Sequence, residues 1–129
     1  MQAPQRIVNR KGSRELRVEW PDGREDHLSW EFLRVHSPSA EVQGHGNPKV
    51  IPGKREVGLE RIEPVGRYAV KLVFDDGHDT GLYSWEILDH YGRERDTLWQ
   101  QYIDALQEMG MTRESDVVSL KSLHYPAKG

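Results

Sequence analysis

The sequence predicts an α+β fold, mainly antiparallel β, with two similar β-hairpin units, short helical turns and one C-terminal amphipathic helix. Two observations carry this expectation. A strand–turn–strand pattern occurs twice and ends each time in Ser-Trp-Glu, at residues 29–31 and 84–86. Apolar residues then recur at helical spacing from Leu98 to Met109. The length of 129 residues suits one domain.

In the first unit Leu16, Val18 and Trp20 alternate with Arg17 and Glu19. Period-two alternation marks a half-buried strand. Pro21-Asp22-Gly23 follows, because a tight reversal needs a residue that tolerates positive φ. Arg24 to Leu28 return as the second strand. Ser29 then offers a hydroxyl to the orphan amides of a short helical turn, and Trp30 packs back onto the hairpin.

Residues 37–55 hold Pro38, Gly44, Gly46, Pro48, Pro52 and Gly53 and read as a long loop between the units. Loops of that length in compact domains often carry function. Residues 57–62 predict a strand, and Glu63-Pro64-Val65-Gly66 a turn. Val70, Leu72 and Phe74 then repeat the alternation, Asp76-Gly77 the turn, residues 78–83 the return strand, and Ser84-Trp85-Glu86 the helical start. One extra residue near Tyr83 separates the two patterns. In the final helix Leu98, Tyr102, Leu106 and Met109 share a face, with Asp96 near the start and Gly110 at the end. The domain is expected over residues 8–110, with a partly ordered tail over 111–129.

Composition excludes several classes. The net charge is −3 and the pI about 6.1, with acids interspersed among the bases, so no nucleic-acid-binding face is expected. There is no cysteine, which rules out disulfides and thiolate-held zinc or iron–sulfur clusters within these residues. No run approaches the roughly 18 apolar residues of a membrane span, and the first residues do not resemble a signal peptide. A cytoplasmic protein is the expectation.

The six histidines, His27, His36, His45, His78, His90 and His124, show no His-x-x-x-His pair. Nor do they show the His-x-Asp or His-x-Glu of a facial iron triad. His36, His45 and His78 remain candidate ligands for a transition metal, iron or zinc, if the fold brings them together. Gln43-Gly44-His45-Gly46-Asn47-Pro48 is the second candidate: backbone amides at Gly44 and Gly46 could cradle an anion, or the glycines could serve only the loop. No nucleophile elbow, phosphate loop or dinucleotide fingerprint occurs.

Residues 30–46 and 63–85 carry a resemblance, most specifically Asp76-Gly77-His78-Asp79-Thr80-Gly81-Leu82-Tyr83-Ser84-Trp85. Over residues 8 to 108 the chain resembles the γ-butyrobetaine hydroxylase-like N-terminal domain, a bacterial domain of unknown function. In the hydroxylase this module precedes the catalytic barrel and holds a structural zinc through three cysteines and a histidine. The resemblance places those cysteines near Ser37, Ser39 and Val42, and the histidine at His78. The catalytic iron lies outside the module, so the resemblance implies no hydroxylase activity. Similar domains fused to ATP-dependent iron–sulfur cluster carriers imply such a carrier, or another protein, as partner.

The leading expectation is therefore a non-catalytic binding or accessory module, linked to iron or iron–sulfur protein handling. Its expected contact surfaces are the 44–48 loop and the face near His78. The alternatives are a histidine-based metal-binding protein and a subunit that binds a protein through exposed strand edges.

Overall fold

The structure is a computed structural model and describes residues 1–44 and 46–115. The elements run β1 (Arg6–Arg10), β2 (Glu15–Glu19), β3 (Glu25–Ser29), α1 (Trp30–Val35), α2 (Ala40–Gln43), β4 (Leu59–Val65), β5 (Ala69–Phe74), β6 (Leu82–Ser84), α3 (Trp85–Arg93) and α4 (Arg95–Glu108). The strands form two antiparallel three-stranded sheets, ordered β1-β2-β3 and β4-β5-β6. With the helices, α4 last, they make the mixed α+β fold that the alternation and the helical spacing predict.

The repeat is larger than a hairpin. Each unit is a three-stranded meander followed by a helix, since β1 and β4 each add a strand before the hairpin. β1 escapes the alternation pattern because Ile7 and Val8 are adjacent and both only half-buried. β4 runs on through Glu63, Pro64 and Val65 to a turn at Gly66, whose φ is 54°. Pro64 is tolerated because β4 pairs only with β5, leaving one edge without ladder bonds.

Both helix starts are capped as their sequences indicate. Ser29 Oγ accepts from Phe32 N at 3.0 Å, and Ser84 Oγ from Ile87 N at 3.2 Å. The helices differ in how they stop. Pro38 disfavours helical backbone at Ser37, so α1 ends at Val35. No proline follows α3, which continues to Arg93 instead of forming a single turn. At the end of α4, Gly110 adopts φ 65° and Met111 N donates to Leu106 O at 2.9 Å.

The two units pool their apolar faces into one core. Leu16, Val18, Leu28 and Leu33 from the first meet Leu59, Leu72, Phe74 and Leu88 from the second. The extra residue in β6 shifts its register. Tyr83 is fully buried where the first unit has Leu28, and Leu82 is exposed. Tyr83 brings a hydroxyl into the core and donates it to Leu33 O at 2.6 Å. A smaller cluster of Val35, Tyr102 and Leu106 seats α4 beside the 50–51 segment. Beyond α4, Gly53 N donates to Thr112 O and Arg55 N to Arg113 O, which holds residues 112–113 against the loop. Residues 116–129, the rest of the expected tail, lie outside the described residues.

Candidate functional site

The two Asp-Gly turns are built alike. Gly23 and Gly77 have φ of 94° and 88°. Asp22 Oδ1 accepts from Arg24 N at 3.0 Å, and Asp76 Oδ1 from His78 N at 3.1 Å. Arg24 and His78 therefore occupy equivalent places, and each reaches into the other unit. Arg24 donates to Asp89 of α3 at 2.5 Å. His78 reaches the segment after α1, where Nε2 lies 2.8 Å from Ser37 Oγ and 3.4 Å from Ser39 Oγ.

His78 is buried, and burial lowers its pKa. The Arg34 guanidinium adds to that effect, while Glu41, Asp76 and Asp79 oppose it. Asp76, between Arg34 and Lys54, donates nothing and accepts from both at 2.7 Å. Burial opposes its ionisation, yet the two cations outweigh this and bring its pKa to about 2. Glu41 Oε2 stands 3.5 Å from His78 Nδ1.

Ser37, His78 and Glu41 thus stand in the order of a nucleophile, base and orienting carboxylate. The order does not confer that chemistry here. Ser37 has 0% of its surface exposed, so no substrate carbonyl can approach its Oγ. The cluster fastens the 37–39 segment to the β5–β6 turn.

The resemblance also places a zinc site here, and the donor set does not fit it. Two positions carry serine hydroxyls, which are neutral and poor zinc ligands beside thiolates. The third, Val42, carries no donor; it is buried and lines a groove whose lining includes neither Ser37, Ser39 nor His78. Among the described residues no group of three or more His, Cys, Asp or Glu side chains could hold a metal ion.

His36 lies apart from His78. Its ring packs on Phe32, Tyr91 and Tyr102, and Nδ1 lies 2.8 Å from Phe32 O. Burial lowers its pKa, against the carbonyls of Phe32 and Leu98. His45 lies outside the described residues. Gly44 takes φ 60° and closes α2 by donating its N–H to Ala40 O at 2.8 Å, and Gly46 takes φ 86°. The Gly44 amide is thereby committed within the chain.

His36 forms part of the floor of a groove of about 630 Å³ between the 48–50 segment and helices α3 and α4. Val42, Ile87, Leu98 and Ala105 make its apolar walls, with Pro48 and Lys49 at the rim. Tyr91 OH donates to His36 O and Tyr102 OH to Ile51 O, each at 2.5 Å, tying α3 to the end of α1 and α4 to the loop. Sequence reading flagged the 44–48 loop and missed Tyr91, Lys49 and Gln101. The helical stripe gave Tyr102 as core, and the remaining signal was the proline-bounded apolar pair Val50-Ile51.

The comparisons bear on this arrangement. A family model described as "Gamma-butyrobetaine hydroxylase-like, N-terminal" matches residues 7–89. Two proteins solved by NMR in solution are 45% and 42% identical to the chain. The first covers 96% of this chain and 99% of its own, with a TM-score of 0.80. The second covers 97% and 95%, with a TM-score of 0.78. A crystal structure from Acidithiobacillus ferrooxidans, of a protein with unknown function in the DUF971 family, is 40% identical over 66% of this chain and 86% of its own, with a TM-score of 0.57. No curated protein matches the chain. The repeated turns, the two Ser-Trp-Glu caps and His78 all fall within the matched residues, and the chain belongs to the gamma-butyrobetaine hydroxylase-like N-terminal family.

Proposed function

We propose that the chain is a non-catalytic binding module, accessory to a partner protein, and that it recognises the partner through the groove bounded by the 48–50 segment, α3 and α4. The observation that carries this reading is the groove itself. Its volume of about 630 Å³ leaves room for several side chains of a partner, its walls are apolar, and a few polar groups stand at its edge. The most developed polar constellation, at Ser37 and His78, is sealed from solvent and serves the fold. An iron–sulfur cluster carrier is the first partner to test, and the cluster would be held entirely by that partner, since this chain has no thiolate to offer.

The test blocks the groove without touching the core. Ala105, half-buried on α4, is changed to Trp, and circular dichroism checks the fold. Tagged wild-type and Ala105→Trp proteins are then compared for retention of a purified cluster carrier and of native partners. The expected result is retention by wild type and loss in the variant. Equal retention by both proteins would remove the groove from the binding surface.

A further inference from the structure

The groove's charge is unlike that of the chain around it. The protein carries 21 acidic residues against 18 Lys and Arg, yet no Asp or Glu lines the groove. Its one lysine, Lys49, is exposed and, like Lys11 elsewhere on the surface, has no carboxylate partner among the described residues, whereas Lys54 and Lys71 pair with Asp76 and Glu63. Gln101 and His90, on α4 and α3, also have side chains without hydrogen-bond partners among the described residues.

Free polar groups stand at the rim and not on the floor. On the floor the Tyr91 and Tyr102 hydroxyls are spent on backbone carbonyls, and His36 Nδ1 is bonded to Phe32 O. A small molecule would find apolar walls but little to orient it at depth. A length of polypeptide, with apolar side chains inserted and one charged residue left at the edge, meets both features.

We propose that the groove takes a short apolar segment of the partner protein that carries an Asp or Glu side chain. Its apolar residues lie on Val42, Leu98 and Ala105, and its carboxylate pairs with Lys49. The carboxylate supplies the charge the rim lacks, and a lysine in its place would meet a like charge. This inference rests on the groove being the recognition surface, as proposed above.

The experiment titrates the isotope-labelled full chain with a synthetic peptide of about twelve residues, with leucines at helical spacing and a central glutamate. A second peptide has lysine in place of the glutamate. The expected result is saturable shifts of the Val42, Lys49, Leu98 and Ala105 amides. The glutamate peptide binds about threefold to tenfold more tightly, and Lys49→Glu reverses that order. Equal binding of both peptides in the groove would overturn the charge inference and leave the groove as a docking surface. No shift at the groove with either peptide would overturn the inference, and if Ala105→Trp also retained partners, the reading of the groove would fall too. Tighter saturation by phenylbutyrate than by the peptide would mark a small-molecule site. Groove shifts that depend on protein concentration alone would mark a second copy of the chain. Displacement by a synthetic 116–129 peptide would mark the chain's own end as occupant. Each of those three outcomes would also overturn the proposal.

Discussion

Residues 36 and 78 are histidines whose surroundings disfavour the imidazolium, while His27 is held by Glu15 and Glu25 in surroundings that favour it. The signs follow from linkage. For His36 and His78 the folded pKa lies below the ordinary 6.5, so protons prefer the unfolded chain. Their contribution is complete above that value and is lost as pH falls toward and through the lowered pKa. For His27 the folded pKa is raised, chiefly by its hydrogen bond to Glu15, so its contribution is complete below 6.5 and is lost as pH rises through the raised pKa. Urea unfolding between pH 8 and 5 should therefore contain a fall in stability toward acid from His36 and His78, opposed by His27. His78→Gln should flatten that fall and His27→Gln steepen it. An unchanged slope in His78→Gln would refute the assignment to His78. The sequence marked His78 as a departure from the repeat, but it could not supply Ser37, which lies about forty residues away and meets it only through the fold.

Among the elements, those fixed by local chemistry were legible. Ser29 and Ser84 cap helices, Gly23 and Gly77 turn hairpins and Gly110 ends α4, each through contacts within a few residues. Those fixed by distant contacts were not. β1 is ordered by pairing along β2, and α2 spans only Ala40–Gln43, too short for a periodicity to show. The segment after α4 is anchored the same way. Arg113 reaches the buried Glu31 of α1 with two hydrogen bonds, at 2.6 and 2.8 Å, and lies over the Trp99 ring. Arg113→Ala would leave the Glu31 carboxylate buried without its cation, at a cost of about 2–4 kcal/mol. Glu31→Gln combined with Arg113→Ala should be less damaging than the two single costs added. Strict additivity in that double-mutant cycle, read by urea denaturation, would show that the pair is not coupled.

At the scale of the molecule, two sheets share one core, so neither meander has an interior of its own. Leu72 on β5 has no exposed surface and lies in the same cluster as Leu16 and Leu28. Leu72→Ala should cost about 2–5 kcal/mol and lower amide protection in both sheets together. Loss of protection confined to β4–β6 would mean that the units unfold separately. The fold class and the duplication were readable at this scale because each repeats a local pattern. The groove was not, since its walls come from residues 35–50 and 87–105 and exist only after the units have closed on each other.

The way the units clasp has a consequence for how this sequence can change. Asp26 lies three residues before the Ser29 cap and presses on Gly92, eight residues after the Ser84 cap. Gly81 lies three residues before Ser84 and is pressed by Ser37, eight residues after Ser29. At these matching positions the halves have exchanged roles, so that each contact joins one side chain to one glycine. A Cβ at Gly81 would stand 2.5 Å from Ser37 Oγ, and one at Gly92 would collide with the Asp26 carboxylate. Gain of a side chain at either glycine is therefore acceptable only when the side chain opposite shrinks with it. Grafting one half's residues onto the other, however similar the halves look, would set glycine against glycine or side chain against side chain.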